Sequence, residues 1–155
     1  MYVFLKIIAA LPLSILHALA SLVALLLNLF PNQSMRWIVR VNLWLAYPDL
    51  PMAQRLQLEK DNVRSQCMTA VESIKSWGMP PAYSLAQIRQ VIGQDVFLQA
   101  LQNPNGVIAV VPHFGTWEIM NFWLGQYTQP IIMYKPSKDA GVDRFMLEAR
   151  QRMDA

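Results

Sequence analysis

From Tyr2 to Phe30 the chain carries one formal charge, Lys6, and from Ile7 to Phe30 the polar interruptions are Ser14, His17, Ser21 and Asn28. A hydrocarbon core is crossed by about 20 apolar residues, so this run predicts a transmembrane helix within residues 1–30. A cleaved signal peptide competes, since Lys6 precedes the run and His17-Ala18-Leu19-Ala20 faintly matches a cleavage site. The run continues through Leu22 to Leu27, which favours an uncleaved anchor. No acidic residue lies between Met1 and Pro48, and Arg36 and Arg40 follow the span while Lys6 lies near its start. The positive-inside bias then places the chain after Phe30 in the cytoplasm. Within the span, Pro12 reads as a tolerated kink. His17 reads as a packed imidazole or a backbone contact rather than a proton relay, because the segment offers it no acidic partner.

Composition agrees with a lipid-associated chain. The 155 residues leave room for one domain, and 54% hydrophobic against 15% charged residues is too apolar for an ordinary soluble one. The lone Cys67 can form no internal disulfide and stands in no metal-ligand spacing. A buried, inert thiol is the expectation.

After the anchor, Arg36, Trp37, Arg40, Leu43 and Trp44 recur at helical spacing. Such a helix suits either the headgroup boundary or a core with its indoles inward, and the pattern leaves both open. Tyr47-Pro48-Asp49-Leu50-Pro51 stops it. Met52 to Trp77 restores the period, with Leu56, Val63, Cys67, Val71 and Ile74 on one stripe, and it stops at Gly78 before Pro80 and Pro81. Further on, Gln94–Leu101 predicts a short helix, Val107–Val111 a strand, Thr116 to about Gln126 a helix, and Pro130–Tyr134 a second strand. Strand, helix and strand in that order imply a parallel crossover, hence an α/β domain.

The apolar run of the first strand breaks at Pro112 into His113-Phe114-Gly115-Thr116-Trp117-Glu118. With Gly115 supplying the turn and Thr116 capping the next helix, Glu118 falls in the first helical turn, where the dipole favours a carboxylate. His113 then hangs from a loop at the C-terminal end of the sheet, where open parallel sheets bind ligands. On one continuous helix the two side chains would diverge by about 140°. Across a strand-to-helix turn they can meet, as a general base and the carboxylate that orients it.

The same stretch resembles the His-x4-Asp/Glu signature of the glycerolipid acyltransferases, and its Gly-x-Trp-Glu ending is similar to the lipid A late acyltransferases. Two further blocks carry the resemblance: Asn42-Leu43 with Tyr47-Pro48-Asp49-Leu50, and Met133-Tyr134-Lys135-Pro136 with Asp143 and Arg150. Lys135 departs from the arginine usual in that family, keeping the charge but losing bidentate phosphate recognition. The chain also ends soon after Arg150, whereas members of the family continue well beyond.

The resemblance implies transfer of a fatty acyl group from acyl carrier protein to a hydroxyl of a lipid A precursor, on the cytoplasmic side of the inner membrane. It implies catalytic roles for His113 as base, Glu118 as its partner, and Arg150 at the thioester oxyanion or a lipid phosphate, with Lys135 and Arg152 binding substrate. It implies no cofactor. A catalytic metal is not expected, since three protein ligands are wanted and the other histidine lies in the apolar run. Nucleic acid is not an expected partner at a net charge of +3. The organisation expected is an anchor at 1–30 and a partial glycerolipid-acyltransferase-like α/β domain at 31–155. A chain incomplete at its C-terminus would be inactive alone. Acylation of another lipid or glycolipid, and a non-catalytic membrane-anchored protein, are the rival readings.

Overall fold

The computed structural model describes the backbone of residues 1–30 and 33–152, and the side chains of 1–30 and 36–152. The boundary expected after Phe30 and the terminal Met153-Asp154-Ala155 lie outside the described residues. Eight helices are present among the described residues: α1 (Tyr2–Ala10), α2 (Leu13–Leu29), α3 (Gln33–Ala46), α4 (Met52–Gly78), α5 (Pro81–Ala86), α6 (Gln94–Ala100), α7 (Ile119–Leu124) and α8 (Ala140–Gln151). They divide into two compact units, Val3–Lys75 and a second of Met1–Tyr2 with Ser76–Ala155.

In the first unit the apolar run does not form one helix. Pro12 lacks an N–H and disfavours helical backbone at the residue before it, so α1 stops at Ala10 and the carbonyl of Pro12 opens α2 by accepting from Ile15 and Leu16. The two helices meet at 116°. Among the described residues no single helix is long and apolar enough to cross a membrane, which corrects the expected transmembrane helix. The bend is held from α4. Buried Lys75 donates from Nζ to the carbonyls of Ala9 and Leu11, each at 2.8 Å, and so satisfies groups that a helix end leaves open.

Other polar residues of the apolar run also find partners on α4. His17 Nε2 lies 2.9 Å from Glu72 Oε1, so its acidic partner comes from another helix rather than its own. Asn28 Nδ2 donates to the Lys60 carbonyl at 3.5 Å. On α3, Arg40 Nε and Arg36 Nε lie 2.6 and 3.3 Å from the buried carboxylate of Glu59, and Arg36 also caps α2 by donating to the Asn28 carbonyl. The Glu59 hydrogen bond raises the Arg40 pKa further. Trp37 and Trp44 are exposed, which decides against the indole-inward reading of this helix. Cys67 is half-buried, and burial pushes its thiol up.

The second unit contradicts the expected α/β class. Among the described residues there is no strand. The segments predicted as strands form neither helix nor ladder: Ile108 and Val110 are 93% and 91% exposed, and Ile131 and Met133 are fully exposed. From Pro130 to Tyr134 burial alternates residue by residue. The two-residue period is therefore real, but a parallel pair needs neighbouring strands and cover on both faces, and the described residues supply neither. The expected helix over Thr116–Gln126 shortens to α7, preceded by 3₁₀-type bonds from Ile119, Met120 and Asn121 back to Thr116, Trp117 and Glu118. The core of this unit gathers Phe122, Leu124, Phe145 and Ala149, with the rings of Trp77 and Tyr2 set edge-on to Phe145. Helix α5 packs on α7.

Candidate active site at the His113 turn

Two features of backbone geometry present His113. The amide of Phe114 donates to the Pro112 carbonyl at 2.9 Å, closing a three-residue turn with His113 at its centre. Gly115 then takes φ +57°, which side chains with a Cβ rarely adopt, and the chain turns into α7. The His113 side chain is exposed, with its ring edge-on to Trp117 at 4.3 Å.

Glu118 is placed differently from its expected partner. It is 4% exposed, and its two oxygens accept from Arg150 Nη2 at 2.9 Å and Asn121 Nδ2 at 3.0 Å. Among the described residues no hydrogen bond joins it to His113. The structure thus brings Glu118 and Arg150 together and leaves His113 on the open side of the turn. Asn121 went unnoticed in the sequence, although its place three residues after Glu118 puts the two on one helical face.

Arg150 extends this cluster. Its guanidinium carbon lies 5.1 Å from the centre of the Tyr134 ring, and its buried Nε has no hydrogen-bond partner among the described residues. The Tyr134 hydroxyl donates to the Asp143 carboxylate, which also accepts from the Ser137 amide at 2.6 Å. These bonds hold the Asp143 carboxyl below the usual carboxylate range, and the Asp143 bond pushes the Tyr134 phenol up. A continuous set of contacts therefore ties α7, the extended segment at 130–134 and α8. The start of α8 is itself fixed by Asp139, whose side chain accepts from the amides of Gly141 and Val142.

Of the two residues expected to bind substrate, Lys135 is exposed on the segment after Tyr134. Arg152 instead donates to the backbone carbonyls of Glu148, Met79 and Trp77, closing the end of α4 onto α8. Beside the His113 turn runs an open apolar groove of about 670 Å³, whose lining includes Val91, Val111, Phe114, Trp117, Met120 and Trp123. Phe97, Trp123 and Tyr127 cluster, with ring centres 5.1 to 6.2 Å apart. Among the described residues no three His, Cys, Asp or Glu side chains converge on one point.

Residues 1–155 match the family described as bacterial lipid A biosynthesis acyltransferase. The chain belongs to that family. No match was found among curated proteins. Membership makes the chain a member of an acyltransferase family of lipid A biosynthesis, and it bears out the resemblance carried by the His113–Glu118 stretch and its two companion blocks.

Proposed function

We propose that this chain moves a fatty acyl group from the thioester of acyl carrier protein to a hydroxyl of a lipid A precursor at the inner membrane. His113 takes the proton of the acceptor hydroxyl, the freed oxygen attacks the thioester carbonyl, and the collapsing tetrahedral intermediate expels the carrier thiolate, which takes that proton. The observation that carries this reading is the apolar groove running past the turn that exposes His113. It offers an acyl chain an apolar wall beside a base whose ring nitrogens hold no hydrogen bond among the described residues. Glu118, fixed by Arg150 and Asn121, supplies the negative charge that favours the imidazolium as it forms. Arg150 holds that carboxylate and turns its remaining donors to the reacting oxygen. Lys135 meets a phosphate of the acceptor. Arg152 acts through the seating of α8.

The test compares variants of the full chain in detergent, with acyl carrier protein thioester as donor and a lipid A precursor as acceptor. His113→Ala should lower transfer by about 10²–10⁴ and leave the unfolding temperature unchanged, because the side chain is exposed. Glu118→Ala should lower transfer and also cost about 3–5 kcal/mol of stability, because it strands a largely buried Arg150. Lys135→Ala should raise KM at nearly constant kcat. Wild-type transfer by folded His113→Ala overturns the assignment, and transfer confined to another lipid acceptor overturns the substrate.

A further inference from the structure

The outer face of α2 is inverted relative to a helix that faces water. At 100° per residue, the buried Leu16, Ala20 and Ala24 fall on one arc with His17 and Asn28, whose side chains reach Glu72 and the Lys60 carbonyl on α4. The opposite arc, about 120° wide, holds Ile15, Leu19, Leu22, Val23, Leu26 and Leu29, all exposed. A helix that turns His17 and Asn28 inward to partners and its branched aliphatic side chains outward is matched to hydrocarbon. On α4 the exposed residues include Lys60, Asp61 and Arg64, as water requires.

Three more observations say what covers the aliphatic arc. Trp37 and Trp44 on α3 stand seven residues apart, hence on one stripe, and are 67% and 58% exposed. Amphipathic rings of this kind are stable at the headgroup level. Residues 1–48 include no Asp or Glu against Lys6, Arg36 and Arg40, a sign complementary to anionic headgroups even with Glu59 offsetting part of it. Finally, α2 has 17 residues, about 25 Å, and α1 turns away from it by 116° at a corner held by the Lys75 ammonium. A segment so short, bent and charged at its corner does not fit a crossing of about 30 Å of hydrocarbon.

We infer that α1 and α2 lie in the plane of a single leaflet, with the aliphatic arc of α2 among the acyl chains, the α3 indoles at the headgroups and the exposed charges of α4 in water. The inference does not depend on the transfer chemistry, and its test uses no substrate. In the full chain carrying Cys67→Ser, Val3→Cys in the first turn of α1 and Tyr47→Cys just beyond α3 are placed singly, at exposed positions. Each is treated with a membrane-impermeant maleimide in spheroplasts and in inverted inner-membrane vesicles. Both cysteines should react in the same one of the two preparations. Reaction from opposite sides would mean a crossing and overturns the inference.

Nitroxide labels at Leu19 and Leu26 supply a second reading in vesicles of phosphatidylethanolamine and phosphatidylglycerol. Greater collision with oxygen than with a nickel chelate, at matching depths, supports in-plane burial. Labels that stay shielded from both with vesicles present, with a dimeric mass that micelles do not disperse, would show that a second copy covers the arc and would overturn it. The double variant Leu19→Glu with Leu26→Glu replaces exposed side chains and should keep its helicity. Its flotation with those vesicles should fall about tenfold or more, and undiminished flotation would also count against in-plane burial.

Discussion

The bond between Tyr134 and Asp143 holds the extended segment at 130–134 to α8, the helix that carries Arg150. It needs a protonated phenol and an ionised carboxyl. The Asp143 pKa is depressed in the folded chain, so its contribution is present above the unfolded value and is lost as pH falls through the lower folded one. The Tyr134 pKa is raised, so its contribution is present below the ordinary phenol value and is lost as pH rises through the higher folded one. Stability from this bond should therefore be flat across neutral pH and decline only in strong acid and strong alkali. Each substitution breaks the bond. Asp143→Asn should remove the acid-side decline and weaken the alkaline one, read from unfolding temperature against pH. Tyr134→Phe should remove the alkaline decline and leave on the acid side only what the Ser137 amide sustains. An unchanged profile in both variants would show that the bond contributes nothing.

At the scale of elements, the bend between α1 and α2 has two causes that can be separated. Pro12 interrupts the hydrogen-bond ladder whatever surrounds it. Lys75 then stabilises the interruption by serving the carbonyls of Ala9 and Leu11 from a buried position. Lys75→Met keeps the length of the side chain and removes both bonds. Leaving buried carbonyls unserved should cost about 1–3 kcal/mol, measured by denaturant unfolding in detergent. A loss within error would assign the bend to Pro12 alone. Two other elements are legible in the sequence: the period predicts Met52–Trp77 where α4 runs Met52–Gly78, and Gln94–Leu101 where α6 runs Gln94–Ala100. Amphipathic periodicity and the Gly-Pro stop signals are local, so the chain states them wherever it folds.

The whole molecule carries apolar surface in both units. On one it is the outer arc of α2, and on the other it is the unpaired extended residues such as Ile108, Val110, Ile131 and Met133. Exposed aliphatic faces and open strand-like edges favour self-association in water. In detergent-free buffer the chain should sediment as species that grow with concentration, and micelles should disperse them. A concentration-independent monomer in buffer would contradict this.

The His113 turn was readable from residues alone, because Gly115 permits a backbone that other residues resist and the break at Pro112 is a local event. Family membership was readable as well, since three ordered blocks of side-chain identities do not depend on knowing the fold. The partner of each charge was not. Glu118 goes to Arg150, thirty-two positions away, Glu59 to Arg36 and Arg40, and Glu72 to His17, and none of these pairings has a local signal. Nor did the apolar runs Val107–Val111 and Pro130–Tyr134 reveal whether a neighbour existed, so they predicted strands where the described residues form none. Local sequence determines what backbone and burial each segment prefers. Only tertiary packing decides which carboxylate meets which cation, because that depends on distances between segments the chain order does not encode.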